Sequence, residues 1–233
     1  MRHLFFLSIA LVSLTNVIAQ KATVTSELLT DKQVAALLPD TLRKVLHINF
    51  PIFRTYRYTD KEGVHYCILT ESREKITTDG DTINLKIKAI NVKVVNGTLV
   101  KVWEINDNII KDERNESSIW FWTKYADFKD YDGDGLAEPV ITYGTAGMNG
   151  YGDGRIKFII YYKGQKTAIR HQNGVLDYER ETQVDKSFYV LPQALQAGVK
   201  QKMELMVANE RAIFPAGWQK DMKNKETQID ERQ

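Results

Sequence analysis

Residues 85–105 read Leu-Lys-Ile-Lys-Ala-Ile-Asn-Val-Lys-Val-Val-Asn-Gly-Thr-Leu-Val-Lys-Val-Trp-Glu-Ile. Two runs rich in β-branched and aromatic residues meet at Asn96-Gly97, a dipeptide suited to a two-residue hairpin turn because both positions tolerate positive φ. In the first run Leu85, Ile87 and Ala89 share one parity, while Ile90, Val92 and Val94 share the other. That slip of phase predicts a β-bulge near Ala89 and Ile90.

The same pattern repeats on either side. Glu62-Gly63, Asp79-Gly80 and Lys163-Gly164 separate further strand-like runs. Strands are predicted over residues 52–58, 64–71, 82–95, 98–105, 119–125, 139–143, 155–162 and 165–171. Helices belong at the ends. Residues 31–38 and 40–46 each open on an aspartate able to cap free N–H groups. Leu195, Val199, Met203 and Met206 recur at helical spacing after Pro192, with the methionines reading as core filler. The predicted class is α+β, a predominantly antiparallel β meander with helices at the N- and C-terminal ends. With no internal repeat or linker, residues 20–219 read as one β-rich domain. The charged stretch 220–233 has little apolar content and is expected to fray.

The first residues form a three-part leader: basic Met1-Arg2-His3, apolar residues 4–14, and small Ala19 before Gln20. Residues 1–19 are therefore expected to be a cleavable signal peptide, which places the mature chain in the periplasm, at the cell surface or outside the cell. No later segment reaches the roughly 20 apolar residues of a transmembrane anchor. The formal net charge of the whole chain is +2. So balanced a chain lacks the concentrated basic face that nucleic acid demands. Cys67 is the single cysteine, so no internal disulfide can form, and its apolar surroundings read as core.

One segment carries legible chemistry. Asp130, Asp132, Asp134 and Glu138 occupy positions 1, 3, 5 and 9 of a loop with Gly135 at position 6, leaving Leu136 to offer its backbone carbonyl at position 7. Alternate side chains of a tightly curled loop converge on one point, and an all-oxygen donor set suits Ca²⁺ better than zinc or copper. Position 12 falls on Ile141, not on the bidentate glutamate of an EF-hand, and residues 139–144 read as a strand. The loop resembles the strand-flanked type of integrin-like propeller blades, although a propeller would repeat it and this chain does not. The competing reading is a surface turn that binds nothing.

Other signals are weaker. Gly144, Gly147, Gly150, Gly152 and Gly154 lack the lysine of a phosphate loop and read as a mobile loop or a ligand lid. Trp120 and Trp122 share a strand face and fill a core or, if exposed, stack on sugars. His171, Asp177 and Glu179 cluster around a turn, and a glycosidase would need two such acids across a cleft. An ion-paired rim is the favoured reading of them.

Residues 120–125, the loop at 130–138 with the following residues 139–145, residues 154–157 and residues 169–174 together resemble an exported bacterial family named as surface polysaccharide biosynthesis proteins. The resemblance implies a cell-envelope role and supplies no catalytic residues. Two hypotheses follow: a calcium-binding, non-catalytic envelope module with a glycan partner, or a glycan-acting hydrolase using Asp177, Glu179 or His171. A binding module should expose Trp120 or Trp122, whereas a hydrolase should line a cleft with the acid pair. A third possibility, a protein-binding inhibitor, would present an exposed apolar patch.

Overall fold

Asn96 and Gly97 adopt φ of 49° and 75°, and Lys163 and Gly164 adopt 47° and 76°. Positive φ at both central residues is the turn geometry whose twist matches that of two antiparallel strands. Each turn closes a long hairpin. The computed structural model describes residues 23–111 and 115–231; the leader expected at 1–19 lies outside the described residues.

The strands are β1 (Thr25–Leu28), β2 (Ile52–Asp60), β3 (Gly63–Glu71), β4 (Lys75–Ile76), β5 (Thr82–Ile83), β6 (Lys86–Val95) and β7 (Thr98–Asn108), then β8 (Ser118–Phe121), β9 (Asp127–Lys129), β10 (Glu138–Ala146), β11 (Arg155–Tyr162), β12 (Gln165–Gln172), β13 (Glu181–Val184) and β14 (Gln228–Asp230). The described helices are α1 (Asp31–Leu37), α2 (Asp40–Val45), α3 (Gln193–Ala208) and α4 (Trp218–Lys223). Of the two large sheets, one runs β1-β2-β3-β6-β7 and the other runs β14-β13-β12-β11-β10-β8, with β9 also paired to β10, while β4 and β5 pair in a separate two-stranded sheet. Every one of these pairings is antiparallel. The α+β class and the antiparallel meander are as the sequence predicts.

The two sheets pack face to face. Cys67, Leu69, Ile87 and Ala89 of the first meet Ile119, Phe121, Ile141 and Ile159 of the second in one buried cluster. The outer face of the first sheet, with Ile68, Ile90 and Val92, is covered by Val34 and Leu38 at α1 and Leu46 after α2. The outer face of the second, with Val140, Ile156, Phe158 and Ile160, is covered by Leu195, Val199, Met203 and Met206 of α3. The molecule is four layers deep, helices outside and two sheets within.

Three local expectations are corrected. β6 keeps regular pairing through Ala89 and Ile90; the register shift falls at Asn91/Val92, where Asn91 pairs Trp103 and Val92 pairs Lys101, leaving Val102 as the extra residue on β7. The change of parity in β6 instead reflects burial of both its faces, one by the other sheet and one by helices. The cap of α1 is Thr30, whose hydroxyl and Gln33 form a reciprocal capping box, so Asp31 sits in the first turn. Of the tail expected to fray at 220–233, the described residues 220–231 continue α4 and form β14, burying Asp221, Met222 and Ile229; β14 extends the second sheet beside β13.

Candidate metal centre

β9 and β10 pair antiparallel with Glu138 opposite Lys129, so residues 130–137 form the loop of a hairpin. Strands flank the loop on both sides, as the sequence reading expected. Gly133 and Gly135 take φ of 80° and 84°, the left-handed turns that let the chain curl back on itself. Within the curl the backbone aims the carboxylates. Asp130 accepts from the Gly133 N–H at 2.5 Å and the Gly135 N–H at 2.9 Å. Asp132 accepts from Asp134 N–H at 3.0 Å, and Asp134 from Leu136 N–H at 2.8 Å. Glu138, at the head of β10, accepts from the Tyr131 N–H at 2.6 Å. The result is that one oxygen from each of Asp130, Asp132, Asp134 and Glu138 lies within 4.8 Å of the others. Such a cluster could hold a metal ion, and its donors are all hard oxygens.

The electrostatic cost of crowding these carboxylates falls on Glu138. Burial pushes the Glu138 carboxyl up to about 7, and the charges of Asp132, Asp130 and Asp134 push in the same direction. Asp134 moves the other way, held below the usual carboxylate range by the Leu136 N–H and by nearby lysines. Lys163 Nζ stands 3.2 Å from its Oδ2, and Lys61 Nζ 3.8 Å from its Oδ1. These two exposed lysines offset part of the repulsion at the rim and leave the buried end, around Glu138, uncompensated.

The loop is tied to its surroundings from three directions. Lys61 N–H donates to the Gly135 carbonyl at 2.9 Å, and Ala137 N–H to Asp60 at 3.2 Å, which fastens the loop to the β2–β3 turn of the other sheet. Tyr162 at the end of β11 donates its hydroxyl to Asp132 at 3.2 Å. Tyr131 packs on α3 at Gly198, where a Cβ would come within 2.2 Å of its ring. Its hydroxyl donates to Asp127, which Lys202 of α3 also reaches at 2.8 Å. Asp60, Lys61, Tyr162 and Lys202 were missed in the sequence because they arrive from distant segments with no spacing to mark them.

Beside the loop lies a cleft of about 270 Å³ lined in part by Asp60, His65, Asn91 and Leu136. His65 Nε2 is 3.6 Å from Asp60, beyond hydrogen-bond reach, and burial lowers its pKa.

The residues weighed for catalysis are not assembled. His171 on β12 is buried, with Nδ1 against Thr182 and Nε2 against Asn173, each at 2.8 Å, and burial pushes its pKa down to about 4. Asp177 and Glu179 do not project from a strand face; they lie on an exposed 3-10 turn, Asp177–Glu179. Asp177 pairs with Arg180 at 2.6 Å, and Glu179 accepts the Leu176 N–H at 3.0 Å. Local hydrogen bonding to the turn explains both.

Trp120 ends up half-buried and Trp122 buried. Tyr151, from the glycine-rich segment, sits edge-on to both rings at 5.6 and 5.7 Å. That segment forms a 3-10 turn over Tyr151–Asp153 and brings an aromatic ring to the tryptophans, with no helix behind it to cradle a phosphate.

Comparison with protein-family models, with curated proteins and with solved structures finds no match to this chain.

Proposed function

We propose that this chain is an exported, non-catalytic module of the cell envelope whose β9–β10 loop binds Ca²⁺ and whose partner is an envelope glycan. The observation that carries the reading is the convergence of four carboxylates, each oriented by a backbone N–H of its own loop, on one point with hard-donor chemistry. In this arrangement Asp130, Asp132, Asp134, Glu138 and the Leu136 carbonyl supply the ligands. The ion's role is chiefly structural: it would clip a loop that touches both sheets and α3 in a chain without a disulfide.

The glycan partner and the envelope location draw on the resemblance to surface polysaccharide biosynthesis proteins and on the leader-like N-terminus. No helix among the described residues is long and apolar enough to cross a membrane. Half-exposed Trp120 offers an aromatic platform of the kind a sugar-binding module needs. The alternative, a glycan hydrolase built on Asp177, Glu179 and His171, gains no support from an exposed ion-paired turn and a buried neutral histidine.

The test is thermal unfolding of the mature chain with calcium, with magnesium and with chelator, alongside the double variant Asp132→Ala, Asp134→Ala. The expected outcome is a calcium-specific rise in Tm that the variant lacks. No rise at millimolar calcium would sink the metal assignment.

A further inference from the structure

Between the end of β8 and the segment that follows α3 lies a cleft of about 370 Å³, a volume within the range of small-ligand sites, roughly 300–1,000 Å³. Its walls include Trp120, Trp122 and Tyr151, its cationic groups are Lys124 and Arg211, and Thr123, Tyr125 and Asn209 add neutral polar groups; no acidic residue is among those lining it. A second cleft of about 480 Å³ shares Trp120 and Tyr151 with the first, and its lining carries Glu71 and Asp81 as well as Arg73. The ring pair is therefore common to two adjoining clefts, an extent suited to a chain of units whose acidic member sits in the first, acid-free cleft.

Among the described residues the charges in the first cleft have no acidic partner. Arg211 is half-buried, and its guanidinium lies 3.8 Å from the centre of the Tyr151 ring. It makes no ion pair or hydrogen bond through its side chain among the described residues. Stacking on an aromatic ring holds a guanidinium flat and leaves its edge free, the geometry in which arginine takes a carboxylate in two parallel hydrogen bonds. Among the described residues Lys124 is partnered by a neutral amide oxygen, that of Asn209 at 3.0 Å, and Asn209 in turn donates to Tyr125 at 3.1 Å. Two positive charges, one fixed by stacking and one by an amide relay, thus flank an aromatic platform. An occupant that satisfies all three features carries a carboxylate for Arg211, hydroxyls for the Lys124 and Asn209 side, and an apolar face for Trp120.

We infer that this cleft is a subsite for an acidic polysaccharide, binding a uronate unit with its carboxylate on Arg211 and its C–H face on Trp120. The inference rests on the binding-module reading, from which it takes the sugar; the cleft adds the charge class and the residues. It does not depend on the calcium loop, which lies at the other end of β10.

The experiment titrates the mature wild-type chain with hexagalacturonate, with neutral maltohexaose and with a hexaglutamate peptide, and repeats the titrations on Arg211→Gln and Lys124→Gln. Both substituted side chains are outside the core, so melting temperatures close to wild type are expected. Trp120→Leu serves as a third variant that keeps an apolar wall. The expected result is selective binding of hexagalacturonate, weakened about tenfold or more by Arg211→Gln and also reduced by Trp120→Leu. Equal affinity for maltohexaose overturns the acidic class, and equal affinity for hexaglutamate overturns the sugar. Hexagalacturonate binding untouched in all three variants overturns the cleft as the site and leaves the module reading standing. Failure of every saccharide to bind overturns both.

Discussion

Glu138 is the residue on which burial and repulsion act together. The folded protein holds its proton up to about pH 7, against an ordinary value of 4.5. Between these two values the folded state binds more protons than the unfolded chain, so stability falls as pH rises through the window. The loss is at most about 3 kcal/mol for a shift of this size. In chelator, Glu138→Gln should remove that part of the slope, so the difference in Tm between variant and wild type should grow from pH 4.5 to pH 7 and then level off. A constant difference across the window would show that Glu138 titrates normally. A bound cation would favour the ionised carboxylate and reverse the slope in wild type.

At the scale of the element, β6 shows why alternation failed as a guide. A strand with one wet face writes a period of two, but a strand buried on both faces writes a nearly continuous apolar run. Ile87 faces the opposite sheet and Ile90 faces the helices, and both are fully buried. Ile87→Ala and Ile90→Ala should therefore each cost about 2–5 kcal/mol, the range for large-to-small substitutions in a packed core. Chemical denaturation reads both. If only one of the two were costly, the strand would have a single buried face and the four-layer arrangement would be wrong. The same physics explains the runs in β10 and β11, whose strands lie between the inter-sheet cluster and α3.

For the whole molecule, the C-terminal stretch decides more than its composition implies. Trp218 and Met222 of α4 and Ile229 of β14 enter the same cluster as Phe158 and α3, and β14 forms the outer edge of the second sheet. A chain ending at Ala216 should lose those side chains and a strand pairing together, lowering Tm by well over 10 °C or failing to fold. That follows because one kcal/mol is worth about 2–4 °C in a protein of this size. A truncated chain that melts like the full one would restore the frayed-tail expectation. Only a few apolar residues carry this contribution, which is why composition averaged over the tail missed it.

Local chemistry was legible without a structure: the hairpin turns at Asn96-Gly97 and Lys163-Gly164, the amphipathic spacing of α3, and the donor spacing of the loop from Asp130 to Glu138. Each is fixed by residues a few positions apart, where φ preferences and side-chain periodicity act directly. What required tertiary structure were contacts between distant segments. The burial of both faces of β6, the docking of α4 and β14, the bracing of the loop by Asp60 and Lys61, and the meeting of Trp120 with Tyr151 and Arg211 all depend on how the layers stack. Sequence spacing carries no record of such neighbours, because packing brings them together only after the local elements have formed.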